Sequence, residues 1–574
     1  LLYQAELFSS VATLLAGASY PKAEIETAWK QVLFNQFHDI LPGSSIAEVF
    51  VDANQAWIEA EQTGERLLVK ALEAIASQIQ LPAPPQPDSQ PVFIFNSLNW
   101  ARSEVVAVPI SDADLEWRVF DLSGCEISCQ IQREDGSTHL LFNAENIPGL
   151  GYQAYWLRAD SPPGESASHR SSPTLTEPPA PSDCWVLENE TLRVSVDSHT
   201  GNLSSVFDKV QQRQVLSDAG NQLQFFEDSG QYWDAWNIDP DYAQHPLPAP
   251  VLTEIRWLER GEIQQRLRVV RQFGQSEFQQ DYILQKRLPH RGNCSASPVL
   301  KIDTVVNWRE SQVLVKAAFP LNLTADFATY EIPCGAIARP TLPPADPIDA
   351  PPLPDAVRAK WEVPALQWAD LSQSDENINY GVSLLNDCKH GYDSQPSQLR
   401  LTLLRSPEWP HAAADRGLHQ FCYALYPHRG NWQSAETVHR GYELNQPLLV
   451  VRNLEGSEAK PFPLWGDRPS DTSPNAISRS LPPTGQFLHL NSKNLILTAL
   501  KQAEQGDRWI LRVYECEGRL AELTLSGTKN LLSECLSPDA KLTNLLEQQP
   551  DSLPSNEATQ TFQISPWQIA TFIL

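Results

Sequence analysis

At Leu81 the hydrophobic period of the chain changes, and that change limits what each side of it can become. Before it, apolar residues recur at helical spacing. After the Pro-rich stretch LPAPPQPDSQP, segments such as PVFIFNSLNW and SEVVAVPI carry strand patterns. A 3.6-residue period lines one face of a helix and a 2-residue period one face of a strand, so neither side can take up the other's structure. From Ile25 the large apolar residues fall at Trp29, Val32, Leu33, Phe37 and Ile40, which predicts a helix that Pro42-Gly43 forbids from continuing. A second helix is expected at once. Ser45-Ile46-Ala47-Glu48 has capping-box form, and Ile46, Val49, Phe50, Ala53, Trp57, Ala60, Leu67, Leu68, Ala71, Leu72, Ile75 and Ile79 make one stripe.

Beyond Leu81 the chain reads as short strands and turns. Ser198-His199-Thr200-Gly201-Asn202 lies between LRVSVD and LSSVFD, the pattern of an antiparallel hairpin. The stretch SPPGESASHRSSPTLTEPPAPSD from Ser161 marks a second break, and PTLPPADPIDAPPLPD from Pro340 a surface excursion. From about residue 480, FLHL, LILTALKQ, WILRVYE, RLAELTL and ATFIL are candidate strands of a terminal β unit. No internal repeat is evident. The expected fold class is α+β and multidomain: an N-terminal helical segment of three-helix-bundle type, then mostly antiparallel β-sandwich domains. The expected boundaries are 1–80 for the helical part, 91–160 for a small β domain, 183–480 for a large β-sandwich and 481–574 for a C-terminal β domain.

At 574 residues, 41% of them hydrophobic and with 17 Trp, there is ample core material for several domains. Seventy acidic residues against 43 basic ones give a net charge of -27, which repels nucleic acid and anionic membrane surfaces. Neutral, polyhydroxylated ligands remain compatible. Nine Cys are scattered without paired CxxC spacing, and the near pair Cys125 and Cys129 reads as ordinary strand residues. No signal peptide or apolar run long enough for a membrane span stands out, so cytoplasm is the default location. The sequons at Asn189, Asn202, Asn293 and Asn322 do not overturn it. The chain opens Leu-Leu-Tyr-Gln-Ala-Glu inside an apparent helix and contains no Met, which reads as part of a longer protein.

His38 and Asp39, a metal-ligand residue type beside a carboxylate, stand at the junction of the two expected helices. By residue type alone both a site and a bland role are open, since His is favourable at a helix C-terminus and Asp often caps the next turn. Asn35, Gln36 or a backbone carbonyl could hold the second ring nitrogen of a ligating His38.

The string NQFHDILPGSSI around them resembles the helical-domain signature of glycoside hydrolase family 38, the zinc-dependent retaining α-mannosidases. Further segments resemble that family in order along the chain. They are Asn96-Ser97-Leu98-Asn99-Trp100 with Arg102, LENETLRVSVDSHTGNLSSVFDK from Leu187, GNQLQFFED from Gly220, WDAWNID from Trp233 and EIPCGAIARP from Glu331. WADLS from Trp368, GVSLLNDCKHGYD from Gly381, LRLTLLRSPEWP from Leu399 and DRGLHQFCYALYPHRG from Asp415 continue the series, closest to the cytosolic and vacuolar branch.

The resemblance implies an α-mannoside oligosaccharide as substrate and one zinc ion. It makes His38 the zinc ligand of this chain and Asp39 a hydrogen-bond partner of sugar hydroxyls. It also implies that the nucleophile, the acid/base carboxylate and the other zinc ligands come from a β/α-barrel domain preceding the helices. No strand-helix alternation in this sequence could be that barrel, so no catalytic residue is expected here. The chain alone is expected to be inactive, to hold zinc weakly and to present an apolar helical face.

Weaker candidates are Trp233-Asp234-Ala235-Trp236, whose rings suit sugar faces, and Asp387, Lys389, His390, Tyr392 and Asp393, all of which could equally be core and loop residues. Arg405 and Asp415-Arg416-Gly417 could line a cleft or brace the β domains. His411 and His419 are not expected to form a second metal site. The alternatives in function are a non-catalytic carbohydrate-binding β-sandwich protein and a relative acting on a phosphorylated mannoside, which would need a basic pocket.

Overall fold

The computed structural model describes residues 1–111, 115–134, 136–160, 184–229, 233–286, 299–342, 362–375, 378–452, 480–524, 531–532, 540–548 and 561–574. The break from Ser161, nearly all of the insertion from Pro340 and the sequon at Asn293 lie outside them. By contact the chain forms two compact units, one of residues 1–36, 52–170 and 446–574, the other of residues 37–51 and 171–445.

Three helices open the chain: α1 (Leu2–Ala16), α2 (Lys22–Phe34) and α3 (Ala47–Ala76). In the first unit α1 is buried on most of its surface, through Ala5, Leu7, Phe8, Val11, Ala12 and Leu15. It ends at Gly17, whose left-handed φ of 69° costs a glycine little. Ser10 Oγ donates to the Leu500 carbonyl at 2.7 Å, fixing α1 to the strand Leu495–Gln502. The buried stripe of α3 is Ala53, Ala60, Gly64, Leu67, Leu68, Ala71, Leu72 and Ile75. Gly64 admits the Leu1 and Leu2 side chains, which a Cβ there would meet at 3.1 Å.

The strand Gln90–Asn96 shows why the run PVFIFN is apolar at consecutive positions. Val92 and Ile94 face Val106, Val108, Leu140 and Phe142 in a sandwich with the sheet of Arg102–Pro109, Ser137–Ile147 and Cys129–Glu134. Phe93 and Phe95 face the other way, into a core shared with α1, α3 and the C-terminal sheet through Phe8, Leu72, Leu497 and Phe572. A strand buried on both faces loses the polar half of its alternation. Gln90–Asn96 pairs antiparallel with Gly151–Asp160 on one side and Leu449–Arg452 on the other.

The second unit has one continuous core between three sheets. Nine strands form the largest, in the order Val251–Arg260, Gln264–Phe273, Ser276–Gln285, Leu300–Trp308, Gly417–Arg429, Asn379–Asn386, Trp368–Ser374, Phe327–Ile332, Gly335–Pro340. Five form the next: Gln222–Glu227, Val313–Pro320, Gln398–Leu404, Gly391–Gln395 and Val363–Pro364. The predicted hairpin is present, with Leu192–Asp197 paired to Leu203–Asp208 and Asp197 accepting the N–H groups of His199 and Thr200. The pairings between strands are all antiparallel among the described residues, and the fold class is the α+β one expected.

Buried charge locks the five-stranded sheet. Lys316, with no solvent exposure, contacts Asp393 at 2.7 Å and Glu362 at 2.5 Å and donates to Thr402 Oγ1 at 3.0 Å. Asp393 also takes Arg400 Nε at 2.7 Å, and Arg400 donates to Tyr242 Oη at 2.7 Å. Tyr392 and Asp393, weaker site candidates by sequence, are therefore core and network residues.

Three local expectations differ from the structure. FLHL is not a strand; Phe487, Leu488 and Leu490 are buried from an irregular segment after the short strand Thr484–Gln486. A helix, Thr437–Asn445, interrupts the strand-rich region and packs on Asn379–Asn386 and Trp368–Ser374. It is tied down by a buried cluster in which Ser383 Oγ meets Thr437 Oγ1 at 3.0 Å and His428 Nε2 meets Asp370 Oδ2 at 2.8 Å. Ser383, His428 and Asp370 resemble a hydrolase triad in composition only, since all three are sealed from solvent. Third, Cys125 precedes its strand, whereas Cys129 opens the strand Cys129–Glu134 as expected and donates to the Trp117 carbonyl; both thiols are free.

Glu331 is buried and accepts the Gln367 N–H at 2.7 Å, and desolvation pushes its carboxyl up to about 7. Its folded pKa lies above its unfolded one, so the unfolded chain releases this proton first and stability falls as pH rises from the ordinary carboxylate range to about 7. Glu331→Gln is expected to raise stability by up to about 3 kcal/mol near pH 8 and to change it little near pH 4. Urea unfolding at both pH values checks this; an equal shift at both would mean that charge is not the cause.

Candidate functional site

The segment between α2 and α3 is not a helix running to Ile40, as the spacing of Leu33, Phe37 and Ile40 predicted. α2 stops at Phe34, and successive turns follow: Ile40 and Leu41 N–H bond to the Phe37 carbonyl, and Gly43 N–H to that of Ile40. Ile40 is buried, but Leu33, Phe34 and Phe37 stay exposed, so helical spacing here was not matched by a core to pack against. Leu41, Ile46 and Val51 are also exposed.

His38 projects from these turns with its side chain 70% exposed. Its Nε2 lies 3.4 Å from Asp39 Oδ2, and Ser44 Oγ donates to Asp39 Oδ1 at 3.5 Å. The imidazole packs on Phe37 at 4.2 Å between centroids and meets Trp236 edge-on at 6.5 Å. Both sequence-predicted site residues thus stand together on one solvent-facing turn.

Trp236 belongs to a tight turn, with Trp236 and Asn237 N–H bonding to the Trp233 carbonyl. Trp233 takes a left-handed φ of 55°, strained for a non-glycine residue. Its indole lies 5.4 Å from that of Trp409, and the Ala235 N–H bonds to the Trp409 carbonyl. Trp233, Trp236 and Trp409 are 63%, 57% and 51% exposed. His411 then lies over Phe50 at 6.2 Å, so three separate stretches of the second unit meet through aromatic rings.

Charge buried beneath the rings holds these loops. Arg405 Nε contacts Asp228 Oδ2 at 2.5 Å, and its Nη2 donates to the Asn237 carbonyl. Asp234 Oδ2 accepts the N–H groups of Glu408 (2.6 Å) and Trp409 (3.3 Å), and Asp415 Oδ2 accepts that of Ser406 at 3.0 Å. Arg405 and Asp415 therefore brace loops. Trp409 and the supporting role of Asp234 were missed by sequence reasoning; the available signal was a Trp before Pro in a turn after a strand.

The remaining candidates are engaged locally. Asp387 accepts the Cys422 N–H, Lys389 lies over the Phe421 ring, and His390 Nδ1 faces the Ala365 and Leu366 carbonyls. His419 Nε2 contacts the Asp415 carbonyl at 2.6 Å, and His411 Nδ1 accepts the Ala413 N–H.

Among the described residues no three His, Cys, Asp or Glu side chains converge to hold an ion. By donor chemistry an accessible imidazole beside a carboxylate fits one or two positions of a zinc shell built from His and carboxylate donors.

Family models match three stretches: "Alpha mannosidase middle domain" over residues 1–75, "Glycosyl hydrolases family 38 C-terminal domain" over 187–413 and "Glycosyl hydrolases family 38 C-terminal beta sandwich domain" over 494–572. Alpha-mannosidase 2C1 of Mus musculus is 30% identical over 592 residues, covering 100% of this chain and 48% of its own length. Alpha-mannosidase G of Dictyostelium discoideum is 27% identical, covering 100% and 50%. The chain thus spans about half the length of these relatives. The fold is similar to the crystal structure of an alpha-mannosidase from Enterococcus faecalis V583, with a TM-score of 0.74 and 16% identity over 100% of this chain and 66% of that one.

Arg405→Ala would leave Asp228 buried without its cation and is expected to cost about 3 kcal/mol. Thermal unfolding measures the cost, and hydrogen exchange should quicken over residues 233–239. Unchanged exchange there would contradict the bracing role.

Proposed function

The chain belongs to glycoside hydrolase family 38, and we propose that it forms part of a zinc-dependent retaining α-mannosidase acting on terminal α-mannosides of oligosaccharides, in the cytoplasm. The observation that carries the reading is the exposed His38 imidazole 3.4 Å from Asp39, inside the stretch that matches the α-mannosidase middle domain. The acidity of the chain is compatible with a neutral sugar. No described helix is long and apolar enough to cross a membrane, which says nothing of membrane β-barrels.

Retaining hydrolysis needs two carboxyl groups about 5–5.5 Å apart, one the nucleophile and the other acid and then base. In this reading both come from the barrel-type domain that the family resemblance implies. When bound, a zinc ion would supply Lewis-acid binding of the mannose 2- and 3-hydroxyls. His38 would hold it through a ring nitrogen. Asp39 would orient that ring and accept a hydrogen bond from a sugar hydroxyl.

In the full-length protein, His38→Ala is expected to abolish the bound zinc measured by elemental analysis and to lower aryl α-mannoside hydrolysis by at least about 100-fold, as a chelator should. Asp39→Asn should keep the metal and lose about tenfold or more in kcat/KM. The 574-residue chain alone should hydrolyse nothing. Activity that survives both chelation and loss of His38 would sink the zinc assignment.

A further inference from the structure

The zinc reading leaves the three exposed indoles without a task. Large rings at 63%, 57% and 51% exposure are costly to leave in water, and here they are held so at the expense of backbone strain. Trp233, Ser406 and Asp415 all adopt left-handed φ, at 55°, 56° and 61°, within the two loops that carry the rings. The carboxylates of Asp228, Asp234 and Asp415 and the Arg405 guanidinium tie these loops through backbone amides and carbonyls. Two short loops are thereby fixed before any ligand arrives, the condition under which a small, weakly binding ligand is held without a further ordering cost.

Position selects the ligand. The row of rings starts at His38, whose imidazole meets Trp236, and continues through the Trp233 turn to Trp409. Whatever lies on it is next to the residue proposed to hold the metal, and the Asp39 carboxylate, 3.4 Å from that imidazole, offers hydroxyl-binding oxygens. Flat apolar faces flanked by acceptors suit a pyranose, which presents C–H groups on its faces and hydroxyls at its edge.

We propose that Trp233, Trp236 and Trp409 form a stacking platform for the sugar rings on the leaving-group side of the α-mannoside bond, so that they set the preference for oligosaccharides over simple mannosides. This rests on the α-mannosidase reading. A protein domain covering the same rings is the competing occupant.

The test uses the full-length protein and two substrates, α-linked mannotriose and α-D-mannosyl fluoride, whose leaving group carries no sugar. Trp409→Ala should lower kcat/KM on mannotriose about tenfold while thermal unfolding stays unchanged. Hydrolysis of the fluoride should stay within about twofold, and Trp409→Phe, which keeps a ring, should recover most of the loss. Equal losses on both substrates, or no loss on either, would overturn the platform, the second outcome fitting a covering domain. If the wild-type protein hydrolyses neither substrate, the α-mannosidase reading fails, and calorimetric titration with mannotriose then decides separately. Binding that Trp409→Ala weakens supports the platform, and an absence of binding to wild type overturns it.

Discussion

A lysine with no solvent exposure sits inside the five-stranded sheet, and much of the second unit is arranged around keeping it paired. An isolated ammonium there would be prohibitively costly, so Lys316 can be native only if Asp393 and Glu362 are brought to it. Those partners arrive on other strands and segments, so the pairing allows one register. Arg400 joins through Asp393 and carries the constraint outward to Tyr242 and Gln224. Tyr242 follows the Trp233 turn closely in sequence, which places the loop bearing the exposed rings at the end of a buried ionic network.

The same device recurs beneath the rings. Arg405 leaves the end of the strand Gln398–Leu404 and is neutralised by Asp228, at the end of the edge strand Gln222–Glu227, with Val313–Pro320 between the two. From that pair the turn at Trp233 and the loop at Trp409 take their positions. The candidate site is a surface feature resting on charged groups of which Asp228, Asp234 and Arg405 are largely out of water. Its aromatic and imidazole rings are free to meet a ligand because the supporting work is done below them.

Helical and strand periods named the right architecture because burial acts on sequence through geometry: Val92 and Ile94 against Phe93 and Phe95, or Leu67, Leu68, Ala71 and Leu72, record the faces they pack. The same logic failed at Leu33 and Phe37, apolar residues at helical spacing that face solvent, the helix having ended before Phe37. It failed again at Phe487 and Leu488, which are buried from irregular chain. Periodicity reports which residues avoid water, and it is silent when an apolar residue is kept for another purpose or is buried without regular backbone.

By itself the sequence determined the α+β class, the helix-to-strand switch at Leu81, the hairpin at Ser198 to Asn202, and the pairing of a His with a carboxylate at positions 38 and 39. All of these are encoded among near neighbours, within reach of local dihedral preference and side-chain period. Only the tertiary structure decided that His38 is exposed, that Trp236 stands at its edge, that Trp409 joins Trp233, and that Asp393 and Tyr392 are structural. The facts about the rings depend on contacts between residues 37–51, 228–239 and 405–416, and that about Asp393 and Tyr392 on Lys316, Arg400 and Asn386 reaching them. Contacts over such separations are set by how buried charges find partners across a folded sheet, which no local pattern in the chain records.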